Sequence, residues 1–278
     1  MRNNKPEQFD FNDPDLVSVI DEIPLWSAPF GLKLLDIIHY KKNITALDIG
    51  FGLGFPLLEV AMRLGSTCKV YGIDPWKQAV ERTKKKIEIY GISNVEVLNG
   101  SAEEIKLPDN SVDLIFSNNG INNVSDMEVV LSECSRVLKS GGQFIATVNT
   151  NKTMHEFYRI YEEILLENRM DDAVVSMYDQ IYTKRKPVEE IKEMLEICGL
   201  HIKSIHEDEF KYRYADGTSM LNHFFIRLAF LEGWKSVVHK ECWTAICPIL
   251  ERRMNEYAGK NGGFEMTIPF LTFDCVRK

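Results

Sequence analysis

The amino-acid sequence predicts an α/β protein in which helices cover both faces of a mostly parallel β-sheet. Between residues 45 and 148, short apolar runs alternate with longer runs of helical period, which is the pattern of βαβ units. The first apolar run leads directly into a glycine-rich turn. Of the 278 residues, 45% are apolar and 27% are charged, which excludes a disordered or collagen-like chain.

Two helices are predicted ahead of the first strand. Asp13 followed by Pro14 is typical of an N-cap and a first helical residue, so we expect a helix over residues 15–22. The prolines between residues 24 and 29 are expected to end it. The apolar residues that then recur at helical spacing are Phe30, Leu34, Leu35 and Ile38.

Turn residues mark the elements of the alternating region. Gly65 and Gly91 each follow a helical run and are expected to end it. An S-x-x-E pattern predicts a capping box in which Ser125 begins a helix. The glycines at 141–142 are expected to turn the chain into the fifth strand. The predicted strands are 45–49, 68–73, 95–99, 112–117 and 143–148, and the helices are 57–64, 76–90 and the one that begins at 125.

Beyond residue 150 the sequence becomes mainly helical. A long amphipathic helix is predicted from its apolar positions: Met154, Phe157, Tyr158, Tyr161, Ile164 and Leu165. The later predicted elements are a mixed polar stretch over 168–186, a helix between Pro187 and Gly199, an extended segment over 201–214, two helices over 216–259 with a kink at Pro248, and a last strand over 264–276.

Charge and cysteine content narrow the classes of function. Lys and Arg number 33 against 41 Asp and Glu, and the net charge of −8 argues against a nucleic-acid partner. The basic run 82–86 is expected to be a solvated helix face. No apolar run reaches about 18 residues, so no membrane span is predicted. The first seven residues lack the apolar stretch of a secretion signal.

The six cysteines contain no C-x-x-C pair and do not cluster with the six histidines. This distribution is typical of reduced thiols, and we therefore expect a cytoplasmic protein without a metal site.

The glycine-rich turn has the sequence LDIGFGLG over residues 47–54. Glycines at alternate positions after a strand allow a tight turn and close approach of a ligand to the backbone. The spacing is GxGxG, whereas the dinucleotide fingerprint is GxGxxG. A carboxylate at Asp48 is unfavourable beside a pyrophosphate and suits a ligand with ammonium or hydroxyl groups.

Two further motifs follow the next two strands. Asp74 ends the second strand about 20 residues after the glycine turn, where a carboxylate can accept both ribose hydroxyls. The segment NGSAEE over 99–104 ends the third strand, and its short side chains and backbone amides can read the edge of an adenine. The carboxyl ends of parallel strands meet at one edge of the sheet, so the three motifs are expected to lie together.

These motifs, with LPDNSVDLI over 107–115 and RVLKSGG over 136–142, resemble the class I S-adenosylmethionine-dependent methyltransferases. The similarity is to the type 11-like group that includes the ubiquinone and menaquinone methyltransferases, and it covers about residues 44–150. It implies a Rossmann-like, seven-stranded sheet whose last strand inserts antiparallel, an added helical cap, and S-adenosyl-L-methionine as cofactor with S-adenosyl-L-homocysteine as product.

The resemblance also implies a division of the chain. We expect a single methyltransferase domain over 1–278, and its four parts are N-terminal helices over 1–43, a cofactor-binding core over 44–150, variable helical segments with one strand over 151–260, and the final strand over 261–278.

The resemblance assigns cofactor contacts residue by residue. Gly50, Gly52 and Gly54 would flank the methionine part, Asp48 would orient their loop, and Asp74 would hold the ribose. The remaining implied contacts are Pro75 or Trp76 packing on the adenine, Ser101 where the family usually has Asp, Glu103 as a replacement for that Asp, the Ala102 amide bonded to the ring, and Asn118 near the methyl group.

The sequence defines a catalytic base less well than it defines the cofactor contacts. Methyl transfer needs a base only when the acceptor is a hydroxyl or an acidic carbon. The family's frequent histidine pair is replaced by asparagines at 122–123. The candidates are His223, expected on an apolar helix where a lone histidine is usually structural, and Asn119. The acceptor is expected to be a small molecule, and the oligomeric state is left open.

Three alternatives remain from the sequence. A nicotinamide-dependent oxidoreductase is opposed by the glycine spacing. A non-catalytic S-adenosylmethionine-binding protein would have no room beside the methyl group. An RNA methyltransferase is opposed by the negative charge.

Overall fold

The computed structural model of the chain describes residues 10–20 and 25–278. Its strands are β1 (Thr45–Ile49), β2 (Lys69–Asp74), β3 (Val95–Asn99), β4 (Val112–Asn118), β5 (Leu138–Asn149), β6 (Leu200–Tyr214) and β7 (Phe264–Arg277). Its helices are α1 (Pro14–Ile20), α2 (Ser27–Ile37), α3 (Leu57–Leu64), α4 (Lys77–Tyr90), α5 (Met127–Val137), α6 (His155–Glu167), α7 (Asp171–Lys184), α8 (Val188–Ile197), α9 (Gly217–Asn222), α10 (Phe224–Ala229), α11 (Leu231–Lys235) and α12 (Lys240–Asn261).

The strands form one seven-stranded sheet in the order β3-β2-β1-β4-β5-β7-β6. β1 pairs in parallel with β2 and β4, and the parallel pairing continues to β3 and β5. β7 pairs antiparallel with β5, as the sequence predicts. The predicted mixed α/β fold with its antiparallel last strand is therefore confirmed.

Alternate residues of β1 enter two different apolar clusters, one on each face of the sheet. Leu47 and Ile49 belong to the cluster that includes residues of α5 and α8. Ala46 belongs to the cluster that includes residues of α2, α3 and α4. β1 is thus buried on both faces, which is why its sequence is an almost continuous apolar run.

The chain divides into two compact units. The sheet unit contains Phe11–Asn149, Pro187–Asp208 and Phe270–Lys278, and the helical unit contains Thr150–Lys186 and Glu209–Pro269. β6 and β7 have residues in both units. From the sequence we expect a single domain with boundaries at 44, 150 and 260, and an added helical cap. Both expectations stay predictions.

The structure corrects several predicted elements of the sheet unit. α1 ends at Ile20 in the described part of the chain, so residues 21–22 of the predicted helix and Pro24 of the predicted break lie outside the described residues. Pro29 lies in the first turn of α2, where its missing N–H costs no helical hydrogen bond. β5 begins at Leu138, ahead of the glycines that were expected to precede it.

The observed elements of the helical unit differ more from the predicted ones than those of the sheet unit do. The polar stretch over 168–186 contains α7, whose buried face of Ala173, Met177 and Ile181 is interrupted by polar neighbours in the sequence. Four helices, α9 to α12, replace the two predicted over 216–259. α12 runs through Pro248. Among residues 10–20 and 25–278, no helix combines the length and apolar character required for a membrane span.

The N-terminus of α5 corrects the predicted capping box. Asp126 is the N-cap residue, and its side chain accepts a hydrogen bond of 3.1 Å from the Val129 backbone N–H. Ser125 lies one residue too early, and its backbone N–H donates to Glu103.

We expect the Asp126→Ala substitution to lower the melting temperature by about 2–4 °C, because a lost N-cap costs about 1 kcal/mol. Ser125→Ala is the matched control and should leave the melting temperature unchanged, since its side chain is not the cap. Differential scanning calorimetry measures both. A larger loss for Ser125→Ala would show that the cap is assigned to the wrong residue.

Candidate functional site

The loop that follows β1 is in backbone contact with the loop that follows β4. Gly50 has φ of +75°, and a Cβ added there would lie 2.9 Å from the Gly120 Cα. A Cβ at Gly120 would overlap the Ile49 carbonyl oxygen. Ser117 joins the same two segments, because its hydroxyl donates to that oxygen at 2.8 Å and accepts from the Ile121 N–H at 3.2 Å. Only glycine fits at either contact position.

Asp74 attaches the glycine loop to the end of β2. Its Oδ2 accepts a hydrogen bond of 2.8 Å from the Gly52 N–H, and its Oδ1 accepts one of 2.8 Å from the Trp76 N–H. The side chain is 7% exposed. Burial raises the pKa of Asp74, and the two amide hydrogen bonds oppose the rise.

Asp48 lies at the base of the same loop and is fully buried. Neither carboxylate oxygen has a partner at full hydrogen-bond geometry within the part of the chain that the structure describes. Burial raises the pKa of Asp48 well above its usual range, the neighbouring charge of Asp74 raises it further, and the Leu57 backbone N–H opposes the rise. A buried carboxylate without a side-chain partner is costly, so this site suits a ligand that brings positive charge or hydrogen-bond donors.

The middle of the glycine loop is open on its outer side. Gly52 has φ of +52°, and a Cβ added there would meet no atom within 4 Å. α4 holds the loop from the other side, since the Thr83 hydroxyl donates to the Gly52 carbonyl at 3.3 Å and the Lys86 ammonium donates to the Leu53 carbonyl at 2.8 Å. Thr83 is buried, so the expectation that 82–86 is simply a solvated face is wrong.

The ends of β2 and β3 are also joined. The Asn99 side-chain amide donates to the backbone carbonyls of Asp74 and Pro75, each at 3.1 Å. Pro75 is exposed, and Trp76 is half-buried with its indole N–H donating to the Phe11 carbonyl at 2.8 Å. The predicted convergence of the three strand ends is therefore observed.

The segment after β3 makes its own local contacts. The Ser101 hydroxyl accepts from the Glu103 N–H at 3.3 Å, and Ala102 is buried. Oε1 of Glu103 accepts from the Ser125 and Asp126 backbone amides at 2.9 and 3.3 Å. One oxygen of Glu103 thus holds the start of α5, and the adenine contacts of these residues stay predictions.

The asparagines after β4 are bonded within the sheet unit. Asn118 accepts from the Thr147 hydroxyl at 3.1 Å and donates to the Ser27 carbonyl at 3.0 Å. The side-chain oxygen of Asn119 accepts from the Asn122 side chain at 2.8 Å and from the Asn149 N–H at 3.1 Å. These contacts position the loop, and the catalytic role of Asn119 stays a prediction.

His223 belongs to the helical unit. It lies at the break between α9 and α10 with an extended backbone (φ −63°, ψ 131°), so its predicted position within a helix is wrong. Its Nδ1 is buried and has no partner among the described residues, and its ring centroid is 5.4 Å from that of Tyr214. Burial lowers the pKa of His223, which favours the neutral, proton-accepting form at neutral pH.

Sequence reasoning missed the residues that support the site from a distance. Thr83, Lys86 and Ser117 each hydrogen-bond to a loop or strand end far away along the chain. Ser117 carried a signal, because a polar residue inside an otherwise apolar strand must find a buried partner. The two α4 residues showed no comparable signal.

Comparison with known proteins identifies the region that contains these motifs. A family model described as a methyltransferase domain matches residues 47–146. A demethylmenaquinone methyltransferase from Bacillus licheniformis is 33% identical over 129 residues, which are 46% of this chain and 55% of that protein.

Comparison with solved structures extends the similarity to a larger share of the chain. A SAM-dependent methyltransferase from Aquifex aeolicus has a TM-score of 0.51 and 25% identity, covering 69% of this chain and 91% of its own. The YcgJ protein from Bacillus subtilis has a TM-score of 0.61 at 16% identity, covering 90% and 99%, and shows the fold alone.

The chain spans about half the length of the curated relatives it matches. The matched residues include the glycine loop, Asp48, Asp74 and Asn118. Residues 47–146 are therefore similar to methyltransferase domains, among them a solved SAM-dependent methyltransferase.

Proposed function

We propose that this protein binds S-adenosylmethionine at the ends of β1 to β4 and transfers its methyl group to a small organic acceptor. The observation that carries the proposal is the buried Asp48 carboxylate without a side-chain partner, next to the glycine loop that Asp74 binds through the Gly52 N–H. The match of residues 47–146 to the methyltransferase family supports it.

The residues of the site fit the parts of this cofactor. Each Asp74 oxygen accepts one backbone amide and keeps acceptor capacity for a ribose hydroxyl. The open side of Gly52 gives the methionine part access to the backbone. Asp48 supplies a buried negative charge for a ligand that carries an ammonium and a sulfonium group.

The chemistry then depends mainly on position. When bound, S-adenosylmethionine supplies a sulfonium methyl group that is already activated for transfer. The protein has to hold donor and acceptor in line, and such positioning contributes about 7–11 kcal/mol to a reaction barrier. The hydrogen bond that Asp74 accepts and those that Thr83 and Lys86 donate fix the loop that would hold the methyl donor. We propose His223 as the proton acceptor for an acceptor that must lose a proton.

The family match favours methyl transfer over the two other classes considered. An oxidoreductase would have to place a pyrophosphate beside the two buried carboxylates, Asp48 and Asp74, which is electrostatically unfavourable. For a protein that only binds the cofactor, the tests would show cofactor binding without methyl transfer.

We propose a chemical class for the methyl acceptor and a cellular compartment for the protein. The curated relatives cover less than half of this chain, so we propose a small organic acceptor without naming it. We also propose a cytoplasmic location, because all six cysteines are free thiols.

We expect Asp74→Ala to weaken S-adenosylmethionine binding by about 10- to 100-fold, because hydrogen bonds to a charged group contribute about 1.5–3 kcal/mol. Isothermal titration calorimetry measures the affinity. Asp36→Ala removes an exposed carboxylate on α2 in the same unit and serves as the control, with unchanged affinity. Absence of saturable binding to the unmodified protein, or equal affinity for Asp74→Ala, would contradict the proposal.

We expect Asp48→Asn to stabilise the ligand-free protein at pH 8 by about 2 °C or more while it weakens cofactor binding. The folded protein holds the Asp48 proton more tightly than the unfolded chain, whose aspartates ionise near pH 4. The unmodified protein therefore loses stability relative to the variant as the pH rises through the raised pKa.

Melting temperatures of both proteins across the range from pH 5 to about pH 8 measure this difference. A variant that is less stable than the unmodified protein at every pH would show that the carboxylate has a stabilising partner.

A further inference from the structure

A buried charged residue directly follows α7. Ala173, Met177 and Ile181 form the buried face of this helix, which packs on α6 in the helical unit. Arg185 is the C-cap residue of α7, has a non-helical backbone (φ −145°, ψ 88°) and is only 5% exposed. A guanidinium is therefore buried at the end of this helix.

The guanidinium of Arg185 is not paired within the part of the chain that the structure describes. Its Nε and Nη1 atoms are enclosed and have no hydrogen-bond partner there. Arginine stays protonated inside proteins, so it cannot relieve burial by losing its charge. An isolated buried charge is strongly unfavourable, which means that this position is stable only with an anion or at a cost to the fold.

Three of the four carboxylates of α6, the helix on which α7 packs, have other partners. On α6, Glu156 accepts from the Thr267 N–H at 3.0 Å, Glu162 accepts from the Tyr178 hydroxyl at 2.8 Å, and Glu167 accepts from Arg253 at 2.7 Å. These three acidic side chains are therefore committed to other residues.

We propose that Arg185 binds an oxyanion, a carboxylate or a phosphate, on a small ligand of the helical unit. This inference goes beyond the proposed methyl transfer, because it assigns an anionic ligand to the helical unit itself. The planar guanidinium matches both anions with charge-assisted hydrogen bonds. Arg185 also lies outside the matched residues 47–146, in the variable helical segments over 151–260.

Thermal unfolding of the full chain tests the inference. The proteins compared are the unmodified protein, Arg185→Met, and the control Arg159→Met, which removes an exposed arginine from α6. Each is measured in sodium chloride, sodium acetate and inorganic phosphate at equal ionic strength and pH. The acetate and phosphate arms distinguish a carboxylate from a phosphate group.

We expect Arg185→Met to melt at a higher temperature than the unmodified protein in chloride, because it removes an unpaired buried charge. Acetate or phosphate should raise the melting temperature of the unmodified protein and of Arg159→Met, and should leave Arg185→Met unchanged. Arg185→Lys keeps the charge without the planar fork and should respond to the anion more weakly.

The inference is overturned if neither anion protects the unmodified protein beyond chloride, or if Arg185→Met responds to the anion as strongly as the control. Calorimetric titration of Arg185→Met with S-adenosylmethionine separates this failure from that of the proposed function. Retained cofactor affinity together with absent anion protection rejects the anion site alone, whereas absent cofactor binding in all variants rejects the proposed function.

Discussion

The two hydrogen bonds that Asp74 accepts from the Gly52 and Trp76 amides determine the shape of the site. One bond holds the loop after β1, and the other holds the start of α4, so a single carboxylate sets the distance between them. Asn99 extends this connection to β3. Because the donors are backbone amides, the arrangement depends on the path of the chain and persists without help from the side chains of the loop.

Two buried ionisable side chains have no side-chain partner in the described part of the chain. Asp48 in the sheet unit is an acid that suits a positive ligand, and Arg185 in the helical unit is a cation that suits an anion. Natural proteins retain such costly groups where function requires them. The same reasoning therefore leads from Asp48 to the cofactor and from Arg185 to an anionic ligand of the helical unit.

The sequence predicted the sheet and the glycine loop well because each depends on local pattern. β1, α3 and β3 have the predicted bounds, since apolar runs end at glycines or turns. Asp48 and Asp74 were found because motif spacing places them at strand ends. Thr83 and Lys86 were missed because their loop contacts cross from another helix. The division of α9 and α10 was missed because it depends on the extended backbone at His223, which no local residue type dictates.

The central claim is that the site is built to receive a positively charged adenosyl amino acid beside a buried carboxylate. Carbon-13 NMR of the Asp48 carboxyl group, followed against pH with and without S-adenosylmethionine, tests it most directly. We expect titration well above the ordinary aspartate range in the free protein and a downward shift of that pKa when the cofactor binds. Titration near the ordinary value, unchanged by the cofactor, would contradict the account.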